Sequence, residues 1–131
     1  MNQWQRQLQI GAEHVASHDT ILSEIITRYV GLPTFTPHTN YYQELVDSII
    51  SQQLSVKAAR SIEQRFCALF GSSKFPEPQQ ILQKDIETLR SAGLSRAKAV
   101  YVQDLARHVL EGQLTLDRFD SLSNQEIIDE L

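Results

Sequence analysis

Residues 41–60 read YYQELVDSIISQQLSVKAAR, and their pattern decides the fold class. Tyr42, Leu45, Val46, Ile49 and Ile50 recur at the three- and four-residue spacing of one helix face. Asn40 stands before them as the N-cap, with Gln43 three residues on as its capping-box partner, so a helix is expected from about Tyr41 to Gln52. Leu54–Ser55 is a short break. Ser55 caps a further helix carrying Ala58, Ala59, Ile62, Phe66, Leu69 and Phe70 on one face and ending at Gly71.

Working outward, the same 3.6-residue rhythm holds along the chain. Ile21, Leu22, Ile25, Ile26, Tyr29 and Val30 form an amphipathic helix with Asp19 or Thr20 as cap and Gly31 as its stop. Leu32 to Asn40 reads as a loop because its two prolines leave no helical register. After a second loop over Ser72 to Pro78, two short helical turns follow, Gln79–Gln83 and Ile86–Ala92, with Asp85 as cap between them. Gly93 supplies a left-handed turn, and Ser95 caps the longest helix, Arg96 to Leu110, which stops at Gly112. Ser123-Asn124-Gln125-Glu126 is a capping box opening a last helix with Ile127, Ile128 and Leu131 as its apolar residues. No period-2 strand of any length stands out. The expected fold is all-α: N-terminal helices over 1–31 and core helices over 40–131, in a single domain.

Composition narrows the function classes. The chain has 131 residues, 41% of them hydrophobic and 21% charged, as in an ordinary globular protein. No apolar run reaches the roughly 18 residues of a membrane span, so no membrane partner is expected. The first twenty residues carry no apolar signal core, and the one cysteine, Cys67, excludes an intramolecular disulfide. An intracellular setting is expected on these grounds, cytoplasmic in a bacterium or nuclear in a eukaryote. The net charge of −4 is unevenly placed: −3 over residues 1–54, +4 over 55–107 and −5 over 108–131. A basic middle between acidic flanks gives an acidic protein one local anion-binding face, although solvated helix charges produce the same count.

Two motifs carry the functional signal. The first is the SQQLS run, Ser51 to Ser55, between two helices. The second is Ala92-Gly93-Leu94-Ser95-Arg96-Ala97-Lys98-Ala99, a glycine turn opening a helix with two basic residues in its first turn. Both present helix N-termini, whose free N–H groups and positive dipole end favour a phosphate. The basic pair Arg96 and Lys98 opposes the helix macrodipole, so helix stability does not account for it. The bland alternatives are that Gln52 and Gln53 end a helix in solvent, and that GLSRAKA is an ordinary turn with solvated charges. His14 and His18 sit one helical turn apart but lack a third ligand, and neither a metal nor another cofactor is expected.

Together, from about Leu32 to Leu131, these motifs resemble the helix-hairpin-helix (HhH-GPD) superfamily of DNA glycosylases, with most similarity to the alkylation-repair branch typified by DNA-3-methyladenine glycosylase II. The resemblance implies an all-α bundle that binds double-stranded DNA and flips out an alkylated base such as 3-methyladenine for hydrolysis of its N-glycosidic bond. Flipping costs a few kcal/mol of stacking and leaves a hole in the duplex. By resemblance Gln53 fills that hole with Leu54 beside it. Ser55, Lys57, Ser95, Arg96 and Lys98 contact backbone or groove, and Leu94 is a second minor-groove wedge. The family's Gly-x-Gly hairpin and the catalytic aspartate that follows it have no counterpart here, since no glycine follows Gly112. None of Asp19, Asp47, Asp85, Asp104, Asp117, Asp120 and Asp129 therefore inherits the catalytic role. The expectation is the first part of a glycosylase, ending before the hairpin and inactive alone. The alternative from another class is a non-enzymatic helical module that binds DNA or a protein partner, with self-association through the apolar face of the last helix.

Overall fold

The computed structural model describes residues 3–29, 31, 34, 38–72 and 74–131, and these form helices and no strand. The chain divides into two compact units, Met1–His38 and Thr39–Leu131.

The first unit is a helical hairpin. α1 spans Gln3–His18 and α2 spans Thr20–Arg28, with Asp19 between them accepting from the Leu22 amide as N-cap. The two helices pack on each other. Neither contains a buried residue, and Trp4, Ile21 and Tyr29 remain 64%, 71% and 74% exposed. Val30, expected in the apolar stripe, and most of the expected loop from Leu32 lie outside the described residues.

The second unit holds the whole core. α3 (Tyr41–Ser51) follows the Asn40 cap, whose side chain accepts from the Gln43 amide. The Gln43 side chain is directed to Asp47 on the next turn and does not complete a capping box. α4 (Val56–Ala68) is capped by Ser55. α5 (Pro78–Leu82) begins one residue earlier than expected, because Pro78 occupies the first helical position, where its missing N–H costs nothing. α6 (Ile86–Ser91) is capped by Asp85 and α7 (Arg96–Leu110) by Ser95. The capping box at Ser123 opens α8 (Asn124–Glu130), with Ser123 Oγ accepting from the Glu126 amide and the Glu126 carboxylate accepting from the Ser123 amide. Each such cap satisfies otherwise orphaned N–H groups and contributes about 1 kcal/mol.

α7 is the central element: α3, α5 and α6 all pack on it, and α3 also packs on α4. Val46, Ile50, Phe66, Ile81, Leu89, Ala99, Val102 and Ala106 are fully or almost fully buried between these helices. Phe66 anchors an aromatic group, edge-on to Phe70 at 5.3 Å and tilted on Phe75 at 6.0 Å. The sequence reading did not foresee a 3-10 helix over Leu116–Ser121. It adds Leu116 and Phe119 to the core, with Leu114 just before it. Tyr41 crosses to this segment, stacking on Phe119 and donating its hydroxyl to Asp120. Cys67 is half-buried, and burial, followed by the nearby carboxylates of Glu63 and Asp47, pushes its thiol up and away from the reactive thiolate.

Candidate nucleic-acid interface

Two helix corners in the second unit carry the residues singled out from the sequence. At the first, α3 ends at Ser51 and the chain turns through Gln52, Gln53 and Leu54 before α4 begins. Gln53 has φ +57, the one left-handed non-glycine conformation among the described residues. The turn is closed by the Leu54 amide donating to the Ser51 carbonyl at 3.0 Å. A side chain in this region costs about 1 kcal/mol or more, so the corner holds Gln53 against its local preference. The Gln53 side chain is exposed, as are Gln52, Leu54, Ser55, Val56 and Lys57. Lys57 has no ion-pair partner among the described residues.

At the second corner α6 ends at Ser91, Ala92 is enclosed, and Gly93 takes φ +109 to reverse the chain into α7. A Cβ on Gly93 would lie 3.2 Å from both Ile62 Cγ1 and Arg65 Nη2 of α4. The glycine is thus required twice, for its dihedral and for this approach. Ser95 Oγ accepts from the Lys98 amide at 3.2 Å as the N-cap of α7. Arg96 is exposed and donates to the Glu87 carboxylate, which also accepts from Arg90 at 3.1 Å.

The position of Leu94 differs from expectation. Leu94 is only 4% exposed and belongs to the core. It packs beneath the turn and presents nothing to a groove, since a wedge must stand clear of its own protein. Lys98 also differs from expectation. Its ammonium reaches across to α3 and donates to the carbonyls of Ile50 at 2.7 Å and Gln52 at 2.8 Å. The Ile50 carbonyl lies in the last turn of α3, at the negative end of its dipole, and Gln52 is the residue that caps that end. The side chain that opposes its own helix dipole therefore complements that of a neighbour. Arg65 makes the matching contact, its Nε donating to the Ala92 carbonyl at the end of α6, 3.0 Å away.

Lys98 thus links the segment that leads into Gln53, Leu54, Ser55 and Lys57 directly to the helix opened by Ser95 and Arg96. Sequence reasoning missed Arg65 and Glu87, which lie outside both motifs. The one local signal pointing to the Lys98 contact was a cation misplaced for its own helix. Among the described residues no group of three or more His, Cys, Asp and Glu is arranged to hold a metal ion. Among the described residues no helix is long and apolar enough to cross a membrane.

Known proteins resemble this chain in sequence and fold. The chain is 32% identical to an alkylbase DNA glycosidase-like protein (mag2) of Schizosaccharomyces pombe, over 91% of this chain and 57% of that protein. It is 31% identical to a putative DNA-3-methyladenine glycosylase (YfjP) of Bacillus subtilis, over 98% of this chain and 46% of that protein. Among solved structures, the Schizosaccharomyces pombe 3-methyladenine DNA glycosylase (Mag1) in complex with abasic DNA superposes with a TM-score of 0.80 at 27% identity. That match covers 91% of this chain and 59% of the other. A DNA-3-methyladenine glycosidase from Bacillus halodurans gives 0.67 at 34% identity, over 89% of this chain and 53% of the other. The chain spans about half the length of the curated relatives it matches. Residues 46–128, which contain both corners and the core between them, match the family described as HhH-GPD superfamily base excision DNA repair protein, and the chain belongs to that family.

Proposed function

We propose that this chain supplies the duplex-probing surface of a base-excision glycosylase acting on alkylated DNA, with bases of the 3-methyladenine type as the lesion. The observation that carries the reading is the exposed Gln53, held at φ +57 on a corner joined to the Gly93 turn. Its carboxamide both donates and accepts, so it satisfies an orphaned partner base when it enters the hole left by a flipped nucleotide. Leu54, 38% exposed, lies beside it as an apolar contact to neighbouring bases. Ser55, Lys57, Ser95 and Arg96, with the N-terminal amides of α4 and α7, follow the phosphate backbone. A cationic alkylated base is drawn to an aromatic pocket by cation–π attraction and already carries a weakened glycosidic bond. In the full reaction an aspartate stabilises the oxocarbenium-like sugar while water attacks.

The test is binding of the 131-residue chain to a duplex containing one abasic site against the same duplex intact. Preference for the abasic duplex is expected, and Gln53→Ala is expected to lower it about tenfold, of the order of one lost base-stacking or plug contact. Equal affinity for the two duplexes would overturn the assignment. The chain itself is expected not to release 3-methyladenine from alkylated DNA, because none of its aspartates follows a Gly-x-Gly hairpin. Release of the base would contradict that expectation directly.

A second reading, self-association, is favoured by one observation: on and after α8, Ile128 and Leu131 stay 66% and 62% exposed. Sedimentation of the wild-type chain and of Ile128→Glu decides it, with a dimer lost on substitution expected if this face pairs.

A further inference from the structure

Lys98 starts from α7, yet the two hydrogen bonds of its ammonium end at the C-terminus of α3, on the carbonyls of Ile50 and of the capping residue Gln52. The Gln52 carbonyl is part of the peptide plane from which Gln53 departs into the left-handed region. Fixing that oxygen fixes the plane, and with it the direction in which the Gln53 side chain leaves the surface. The two contacts are charge-assisted and short, in the strong class of protein hydrogen bonds. Arg65 braces the opposite side by holding the Ala92 carbonyl, and the bare Cα of Gly93 lets Ile62 and Arg65 come close. The corner carrying Gln53 and the corner opening α7 are thereby tied through side chain to backbone, and neither tie needs DNA.

We propose that Lys98 is a positioning residue that sets discrimination between distorted and intact duplex by holding Gln53 in its left-handed conformation, without contacting the nucleic acid. The inference rests on the reading of Gln53 as the probing residue. It assigns Lys98 to the apparatus that aims that residue and removes it from the phosphate contacts. A phosphate contact and a positioning contact have different signatures. Neutralising a phosphate releases counterions, so losing such a contact flattens the slope of log K against log salt by about 0.9. Losing a positioning contact leaves the slope and removes the preference.

The experiment uses the full 131-residue chain with Lys98→Met, Lys98→Arg, Gln53→Ala and the Lys98→Met/Gln53→Ala double variant. In the first arm, without DNA, NMR follows the Gln53 backbone shifts and the exchange of the Leu54 amide. Lys98→Met is expected to move the shifts out of the left-handed range and to speed Leu54 exchange at least fivefold, with α5 amides unchanged. In the second arm, binding to abasic and intact duplexes is measured across salt concentrations. Lys98→Met is expected to lose about tenfold in preference with its salt slope unaltered, and the double variant to be no worse than Gln53→Ala. Lys98→Arg, able to reach both carbonyls, is expected to restore the preference.

A slope flattened by about one with preference retained would make Lys98 a phosphate contact and overturn the proposal. So would unchanged NMR signals at the corner, or a folded Lys98→Arg that restores nothing. Should Lys98→Met lose its helical circular dichroism, Lys98→Gln takes its place under the same criteria. If the corner responds in the first arm but the wild-type chain shows no preference in the second, Lys98 still positions Gln53 and the glycosylase reading alone falls.

Discussion

Asp47 stands on α3, half-buried, with one carboxylate oxygen that finds no hydrogen-bond partner among the described residues. Burial first, then the neighbouring charge of Glu63, raises its pKa from 3.8 to about 6, with Glu44 adding to the rise and a hydrogen bond from Gln43 opposing it. Between those two values the folded state holds a proton that the unfolded chain has released, so stability falls as pH rises through that window. Above about 6 the destabilisation is complete. The side chain keeps partial access to water, which screens the effect, so its size is on the order of 1 kcal/mol. Asp47→Asn is therefore expected to stabilise the chain by about that much at pH 7.5 and to make no difference near pH 4, measured by urea unfolding at the two pH values. An equal effect at both, or a less stable variant at pH 7.5, would show that the carboxylate is not strained. Gln53, in the turn just past the end of the same helix, is also held in an unfavourable state. One residue places a local cost on α3 and the other on the turn after it, and only Gln53 is exposed, where that cost has a use.

Between elements, the turn joining α6 to α7 has the least freedom to change. Gly93→Ala introduces a methyl group at φ +109 and drives it against Ile62 and Arg65 of α4. The expected loss is about 2 kcal/mol from backbone strain and displacement together. On a chain of this size that lowers the melting temperature by about 8 °C, read by circular dichroism. A shift under 2 °C would mean that the turn relaxes and α4 is not pinned to it. The same turn shows what the sequence makes legible. A glycine ending one helix, followed by a serine capping the next, is a relation among residues three or four apart. Asp19, Asn40, Ser55, Asp85, Ser95 and Ser123 were all readable as caps for that reason. The 3-10 helix was not, because Leu114, Leu116, Phe119 and Leu122 follow neither a period of two nor one of 3.6. The burial of Leu94 and the reach of Lys98 depend on partners far away in sequence. Lys98 finds its carbonyls 46 and 48 residues back, a separation at which no local pattern operates.

For the molecule as a whole, the opposing fact is a net charge of −4 on a chain proposed to bind a polyanion. The basic segment 55–107 reconciles them only in part, because its cations are largely engaged with the protein. Lys98 and Arg65 hold backbone carbonyls, Arg90 pairs with Glu87, Arg107 lies 3.6 Å from Asp104, and Lys84 sits over the Phe70 ring. At the two corners Lys57 and Arg96 remain for phosphates, Arg96 by leaving an exposed pair with Glu87 that is worth little in water. Two neutralised phosphates give a slope of about −2 for log K against log salt. Affinity for an abasic duplex is accordingly expected to fall only about tenfold between 50 and 200 mM salt, with lesion preference preserved because Gln53 and Leu54 carry no charge. Fluorescence anisotropy across that range measures it. A slope of −4 or steeper would require cations now bonded to carbonyls and carboxylates to turn outward on binding. The corners would then have to rearrange around DNA, and the rigid linkage between them could not be what selects the lesion.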